Sequence, residues 1–286
     1  MNYYLGCPLW SNPAWVGGLF KRGARSQEFL AQYAEVFSTV EGNTTFYALP
    51  RADTVLRWRE ATPDHFRFCC KFPRTISHDA SLRHVDRETA DFLDRLSPLE
   101  NRLGPFFLQL PSQFGPENLA LLWDYLAKLP ADFDYAVEVR HLAFFAKGDS
   151  EKAFNRGLYE RGIDRVILDS RALFSARAED ADTREAQRKK PRLPVRAVAL
   201  GKRPLVRFIG HPEVPANQDF LRPWQDKLAT WINEGRTPYF FAHTPNNHQA
   251  PEVARAYHEL LRERISGLSP LAAWPAESTT AQLSLL

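Results

Sequence analysis

Eight short apolar runs of strand character alternate with longer segments of helical spacing, and this alternation limits the possible folds more than any other feature of the chain. The strand runs are YYLGC (3–7), VFSTVEGNTTF (36–46), FRFCCKF (66–72), FFLQL (106–110), YAVEVR (135–140), RVILDS (165–170), PLVRFIG (204–210) and PYFFAH (238–243). Between them, residues 26–37 put Phe29, Leu30, Tyr33 and Phe37 on one stripe behind Ser26, a residue type suited to an N-cap. Segments 85–100, 117–129, 151–161, 220–234 and 251–264 keep the same period, with Pro251 placed for a first helical turn, and 53–60 is a weaker helix. Strand, helix, strand in series requires parallel strands joined by crossover helices. Eight such units in 286 residues predict a single (β/α)8 TIM barrel over the whole chain. The alternative is an open doubly wound sheet. It lacks its usual support, because GCPLWSNPAW stands where a glycine-rich dinucleotide fingerprint would follow the first strand.

One stretch breaks the rhythm. Residues 176–203, ARAEDADTREAQRKKPRLPVRAVALGKR, are charged and separate strands six and seven. Such a length implies a lid, an insertion or a mobile loop. Residues 266–286 read as a tail with little structure of its own. The net charge of +3 exerts no general pull on nucleic acid or membrane. Cys7, Cys69 and Cys70 form no disulfide framework and no zinc spacing, and the adjacent pair would face opposite sides of a strand. MNYYLGCPLW lacks the pattern of a secretory signal, and no apolar run is long enough to span a bilayer. The expectation is a soluble cytoplasmic protein with no membrane contact.

Glu41 poses the sharper question, since a carboxylate in the middle of an apolar run is rarely buried without a partner or a use. Sorting strand positions by parity places Phe37, Thr39, Glu41, Asn43 and Thr45 on one face of the second strand. Arg67, Cys69 and Lys71 share a face of the third, Glu138 and Arg140 of the fifth, and Arg207, Ile209 and His211 of the seventh. Gln109, Asp169 and His243 stand near the ends of strands four, six and eight. The opposite faces are largely Val, Phe, Leu and Ala, as strands need against a helix layer. The polar faces are therefore expected to point into the barrel, toward the C-terminal mouth where barrel active sites form. Burying so many ions in a dry core would cost several kcal/mol for each before pairing. A wetted, ligand-binding mouth avoids most of that cost.

The blocks GCPLWSNPAWVG, TVEGNTTFYALP, FCCKFPRTISH, LGPFFLQLPSQF, AVEVRH and FAHTPNNHQAPEVARAYHELL resemble the YecE-like family, in order and from the first strand to the last helix. The resemblance implies a single (β/α)8 barrel and carries no catalytic roles with it. It does put Glu41, Asn43, Lys71, His78, Gln109, Glu138, Arg140 and Asn246 inside the characteristic blocks.

Three chemistries fit the mouth. The first is metal-free acid–base catalysis on a small polar or anionic substrate, of hydrolase, isomerase or lyase type. Glu41 and Glu138, three strands apart, would divide acid and base roles across the mouth. Lys71 and His243 would join them as catalytic groups, while Asn43, Gln109, Arg140, Asp169, Arg207, His211 and Asn246 would bind substrate. Lys71 would also suit a Schiff base if its pKa were lowered. The second is a divalent-metal site for hydrolase, isomerase or phosphodiesterase chemistry, drawing on Glu41, Glu138, Asp169 and His243 and opposed by Lys71, Arg140 and Arg207 on the same surface. No compact metal motif accompanies it, and no cofactor is expected. The third is binding without catalysis. GHP (210–212) and TPNNHQAP (244–251) precede helices whose N-termini favour a phosphorylated ligand, and QRKKPRLPVR (187–196) would guide a nucleic acid. A solvated loop is the plainer reading of that basic run. Trp10, Trp15, Phe46 and Tyr47 would either stack on a ligand or pack the loops, and Cys7 reads as a small packing residue.

Overall fold

The computed structural model describes residues 3–278. In chain order its elements are β1 (Tyr4–Cys7), α1 (Phe29–Val36), β2 (Thr39–Gly42), α2 (Thr44–Tyr47), α3 (Ala52–Glu60), β3 (Arg67–Cys70), α4 (Asp86–Leu96), β4 (Phe106–Gln109) and α5 (Leu119–Ala127). They continue with β5 (Tyr135–Glu138), α6 (Asp149–Glu160), β6 (Asp164–Asp169), α7 (Arg171–Ser175), α8 (Ala181–Lys189), β7 (Leu205–Ile209), α9 (Gln218–Asn233), β8 (Tyr239–His243) and α10 (Ala250–Arg262). The strands pair in parallel in the order β3-β2-β1-β8-β7-β6-β5-β4. The ring closes between β3 and β4 through isolated bridges at Phe68–Leu103 and Lys71–Phe107, with Phe72 N donating to Phe107 O at 3.1 Å. The architecture is the expected TIM barrel.

Parity builds two cores. Cys69, Phe107, Ala136, Val166, Leu205, Tyr239 and Phe241, with Tyr4, fill the barrel interior. Val40, Phe68, Cys70, Leu108, Val137, Ile167, Val206 and Phe240 face outward into the helix layer. Cys69 and Cys70 thus lie on opposite faces, and all three cysteines are buried and free. Close strand approach needs Gly6, because a Cβ there would sit 1.9 Å from the Thr39 carbonyl oxygen. At that point the Tyr33 hydroxyl donates to Thr39 O at 2.9 Å and accepts from Cys7 N at 2.7 Å, stitching β1 to β2.

Several boundaries differ from the sequence reading. The second run is strand only over Thr39–Gly42; residue 36 belongs to α1, and Thr44–Tyr47 turn into a helix. The segment before α1 is a 3-10 turn over Ser26–Glu28, and Glu28 Oε2 takes the Arg25 amide at 2.7 Å, so Ser26 is no α-helical cap. Pro251 sits in the first turn of α10 as expected.

The 176–203 stretch is not an irregular loop, because it contains α8 and then packs as the descent from β6 to β7. The Asp164 carboxylate accepts from Leu200, Gly201 and Arg203 amides at 3.1, 2.8 and 2.8 Å, fixing the return at the bottom of the barrel. Glu151 holds Arg196 at 2.7 Å and Arg165 at 3.4 Å. Arg188 and Lys189 pair with Glu185 within the stretch, and Arg203 pairs with Asp134 outside it. The tail read at 266–286 is described only to residue 278, where residues 275–278 are helical and Glu277 pairs with Arg255 at 2.9 Å; the remainder lies outside the described residues.

Candidate functional site

Arg207 organises the barrel mouth. β7 projects it inward above the Phe107 ring, whose centroid is 5.6 Å from the guanidinium carbon. Its Nε and Nη2 donate to Glu41 Oε2 and Oε1 at 2.7 and 2.8 Å, and its Nη1 donates to Glu138 Oε2 at 2.6 Å. Three inward positions on β2, β5 and β7 are thereby joined in one ion network, with all three side chains buried. The two carboxylates do not face one another across open space; they share a cation. The remaining oxygens are also taken. Asn43 Nδ2 donates to Glu41 Oε1 at 2.6 Å, His243 Nε2 stands 3.1 Å from Glu41 Oε2, and Arg140 Nε donates to Glu138 Oε1 at 2.9 Å.

Electrostatics follow from that bonding. Burial works to raise the Glu41 carboxyl, but Arg207 and His243 overcome it and hold it well below the usual range. The same contest leaves Glu138 at about 2, through Arg207, Arg140 and Lys71. Both groups are therefore ionised at neutral pH, and the expected division into one acid and one base does not arise, because their environments are alike. Burial and the nearby cations bring His243 down to about 4 despite Glu41. Its imidazole is neutral, so Nε2 carries the proton it gives to the ionised carboxylate.

Lys71 differs from every other charge in the ring. It enters from the end of β3, and its Nζ donates to Gln109 Oε1 at 2.8 Å and lies 3.8 Å from the centroid of the Phe46 ring. No carboxylate among the described residues pairs with it. Burial first, then Arg207, lowers its pKa from 10.5 to about 7. Arg140 Nη2 also donates to Gln109 Oε1, at 2.7 Å, so two cations share one neutral acceptor. His78 packs edge-on to Phe46, with ring centroids 5.1 Å apart, and burial together with Lys71 and Arg140 lowers its pKa to about 4.

The structure thus brings together Glu41, Asn43, Lys71, Gln109, Glu138, Arg140, Arg207 and His243. Three expected members stand apart. Asp169 lies on the outer face of β6, where Arg171 Nη2 and Trp224 Nε1 each donate to it at 2.8 Å. Nearness to a strand end suggested it, but its parity is that of outward-facing Ile167. His211 sits in a turn built by Asn217, whose Oδ1 accepts the His211 amide at 2.7 Å and whose Nδ2 donates to the Glu213 carbonyl at 2.9 Å. That amide is not free to meet a phosphate. Asn246 is exposed and donates to Asp182 Oδ2 at 2.9 Å, tying the β8–α10 loop to α8. With Asp169 outside and Arg207 on both glutamates, the four residues considered for a metal do not converge, and no group of three or more His, Cys, Asp or Glu among the described residues could hold a metal ion.

Of the aromatics, Phe46 takes part, as the surface under Lys71. Trp10 packs edge-on against Trp58 and Phe68, and Trp15 is buried and donates to the Asn247 and His248 carbonyls at 3.0 Å. Tyr47 is 81% exposed. Cys7 is fully buried, as a packing residue would be. The residue that sequence reasoning missed is Lys190, just after α8. It precedes Pro191, whose carbonyl accepts from Ser170 at the end of β6, and the charges of Arg207, Glu41, Arg140 and Glu138 act on it. Its only signal was membership of the basic run.

The profile of the family described as "Protein of unknown function DUF72" matches residues 4–279. The UPF0759 protein YecE of Escherichia coli (strain K12) is 50% identical over 276 residues, which covers 96% of this chain and 98% of that protein. Its counterpart in Escherichia coli O157:H7 is 49% identical with the same coverage. A DUF72 family protein from Enterococcus faecalis V583 superposes with a TM-score of 0.69 at 20% identity, over 95% of this chain and 99% of that one. Another from Thermotoga maritima MSB8 also gives 0.69, at 22% identity, over 92% and 100%. These two likenesses concern the fold. No helix among the described residues is long and apolar enough to cross a membrane.

Proposed function

This chain belongs to the DUF72 family, and from that premise we propose that it is an enzyme whose barrel mouth moves a proton on a small anionic substrate, with Lys71 as the group that carries it. The observation behind this reading is the state of Lys71. It is a buried amine with no carboxylate partner, held on a neutral amide and an aromatic face, with a pKa of about 7. An amine so placed exchanges protons at neutral pH, where an ordinary lysine does not. Arg140, still partly exposed beside it, supplies the charge that would seat an anion. Glu41 and Glu138 act as positioning residues, fixing Arg207 and through it the electrostatic field at the mouth. Hydrolysis, isomerisation and elimination all draw on such a proton carrier.

A small ligand is favoured over a polyanion. In the basic run, Arg188 and Lys189 both pair with Glu185, and Arg196 pairs with Glu151, which leaves only Lys190 and Arg192 without a carboxylate partner among the described residues, too few to track a backbone. Three free, buried thiols suit a reducing cytoplasm.

The test is turnover of a panel of hydroxy acids, keto acids and sugar phosphates, followed by NMR at several pH values. Activity on any of them should change through one ionisation near pH 7 and should vanish in Lys71→Met. Full activity in that variant would refute the assignment. A second reading rests on the same lowered pKa: Lys71 forms an imine with a keto substrate, releasing water. Borohydride with pyruvate would then fix the adduct on Lys71, and an unmodified Lys71 would count against the imine.

A further inference from the structure

The segment between β6 and β7 delivers a cation to the mouth. Two tethers set its position. At the start of α8, Asp182 takes a hydrogen bond from Asn246 on the β8–α10 loop at 2.9 Å. Just beyond α8, the Pro191 carbonyl accepts from the Ser170 hydroxyl at the end of β6, also at 2.9 Å. Lys190 lies between these anchors, one residue before Pro191 and so beside the end of β6, where the charge of Arg207 acts on it. Lys190 is half-buried, and its side chain makes no hydrogen bond or ion pair among the described residues. Two more donors lie across the mouth. Lys71 has only the Gln109 amide oxygen, and Arg140 uses Nε and Nη2 and leaves Nη1 uncommitted among the described residues. The Thr244 hydroxyl, next in the chain after His243, is likewise buried without a partner among the described residues.

The charge count is unequal. Lys71, Arg140, Lys190 and Arg207 face Glu41 and Glu138, and both carboxylates are already bonded to Arg207. When both lysines are protonated, the mouth carries two positive charges without a counterpart. Proteins seldom gather like charges around one point without something of opposite sign to receive. We propose that Lys190 is a substrate-anchoring residue which, with Arg140 and Lys71, forms a cradle for a doubly charged oxyanion of the phosphate-monoester class. The proposal rests on the reading of the mouth as an anion site and adds to it the charge of the ligand and a residue outside the strands.

The free site bears the electrostatic load that such a ligand would relieve. Burial and then Arg207 lower Lys190 to about 8 and Lys71 to about 7, Arg140 adds to both shifts, and Glu41 and Glu138 oppose them. His78 and His243, each at about 4, stay neutral above pH 6. A dianion should raise both lysines and so draw protons from solution as it binds.

Inorganic sulfate is the probe, because it stays a dianion throughout the range of interest. Calorimetry at pH 8 in buffers of different ionisation enthalpy reads affinity and proton uptake together. We expect sulfate to bind the full chain with net proton uptake and chloride to bind far more weakly. Lys190→Met should weaken sulfate about tenfold or more and reduce the uptake, while Lys190→Arg should keep the affinity. Loss of binding in Lys71→Met with Lys190→Met unchanged would overturn the role of Lys190 and leave the mouth reading standing. Chloride binding as well as sulfate would overturn the dianion class. Sulfate binding unaltered in both methionine variants, or none in the wild type, would overturn the cradle and the anion site together.

Discussion

Arg207 keeps two carboxylates in the barrel that would repel one another without it. Replacing it with methionine preserves most of the volume and leaves Glu41 and Glu138 buried without their shared cation. The expected loss is about 3–5 kcal/mol of stability, read from urea unfolding, and adding Glu41→Gln and Glu138→Gln should recover part of it. A loss below about 1 kcal/mol, the range of exposed ion pairs, would mean that the network is open to water. The network members could be read from the sequence because alternation along a strand is a strict geometric rule. Glu138 shares a face with Ala136, and Arg207 with Leu205, and both neighbours fill the barrel interior. Asp169 misled because closeness to a strand end replaced parity as the criterion. Lys190 could not be read at all, since its place depends on where an aperiodic charged segment docks, and no local pattern encodes that.

At the level of elements, β1 and β2 approach so closely that Gly6 admits no side chain. In Gly6→Ala the new methyl would meet a backbone carbonyl at 1.9 Å, and backbone cannot swing aside as a side-chain tip can. The variant should lose about 3 kcal/mol or more, or fail to accumulate as folded protein, as judged by its thermal unfolding midpoint. A wild-type midpoint would show that the two strands can separate without cost. Strands and crossover helices were legible because their periods of 2 and 3.6 repeat over several residues, as in α10, which buries Val253, Ala254, Tyr257 and Leu261. α8 escaped because it buries only Thr183 and Ala186 and so carries almost no apolar stripe. The second strand was drawn too long because Thr44–Tyr47 has β-forming residues, yet Thr45 donates its hydroxyl to the Gly42 and Lys71 carbonyls and curls the chain there.

Over the whole molecule, stability should depend on pH through Lys71. Its pKa is about 7 when folded and 10.5 ordinarily, so between those values the unfolded chain binds more protons than the native one. Stability from this group therefore rises as pH increases from 7 toward 10 and is constant below about 6. The buried cysteines act with the opposite sign above their ordinary value of 9.0, since burial keeps them protonated in the fold. The difference between wild type and Lys71→Met isolates the lysine: urea midpoints should diverge as pH falls from 9 to 6.5, with the variant the more stable at the acid end. Parallel curves would mean that Lys71 titrates as it does in water.

The ring of strands has one thin joint, between β3 and β4, held by isolated bridges. At the mouth, the bond from Lys71 to Gln109 reaches from one lip of that joint to the other. The amine proposed to carry the proton thus also spans the joint, beside the backbone bonds that close it. A ligand that displaced Lys71 from Gln109 would remove one bond across that joint and one that spanned both side chains would add to it, so amide exchange along β3 and β4 would register occupancy.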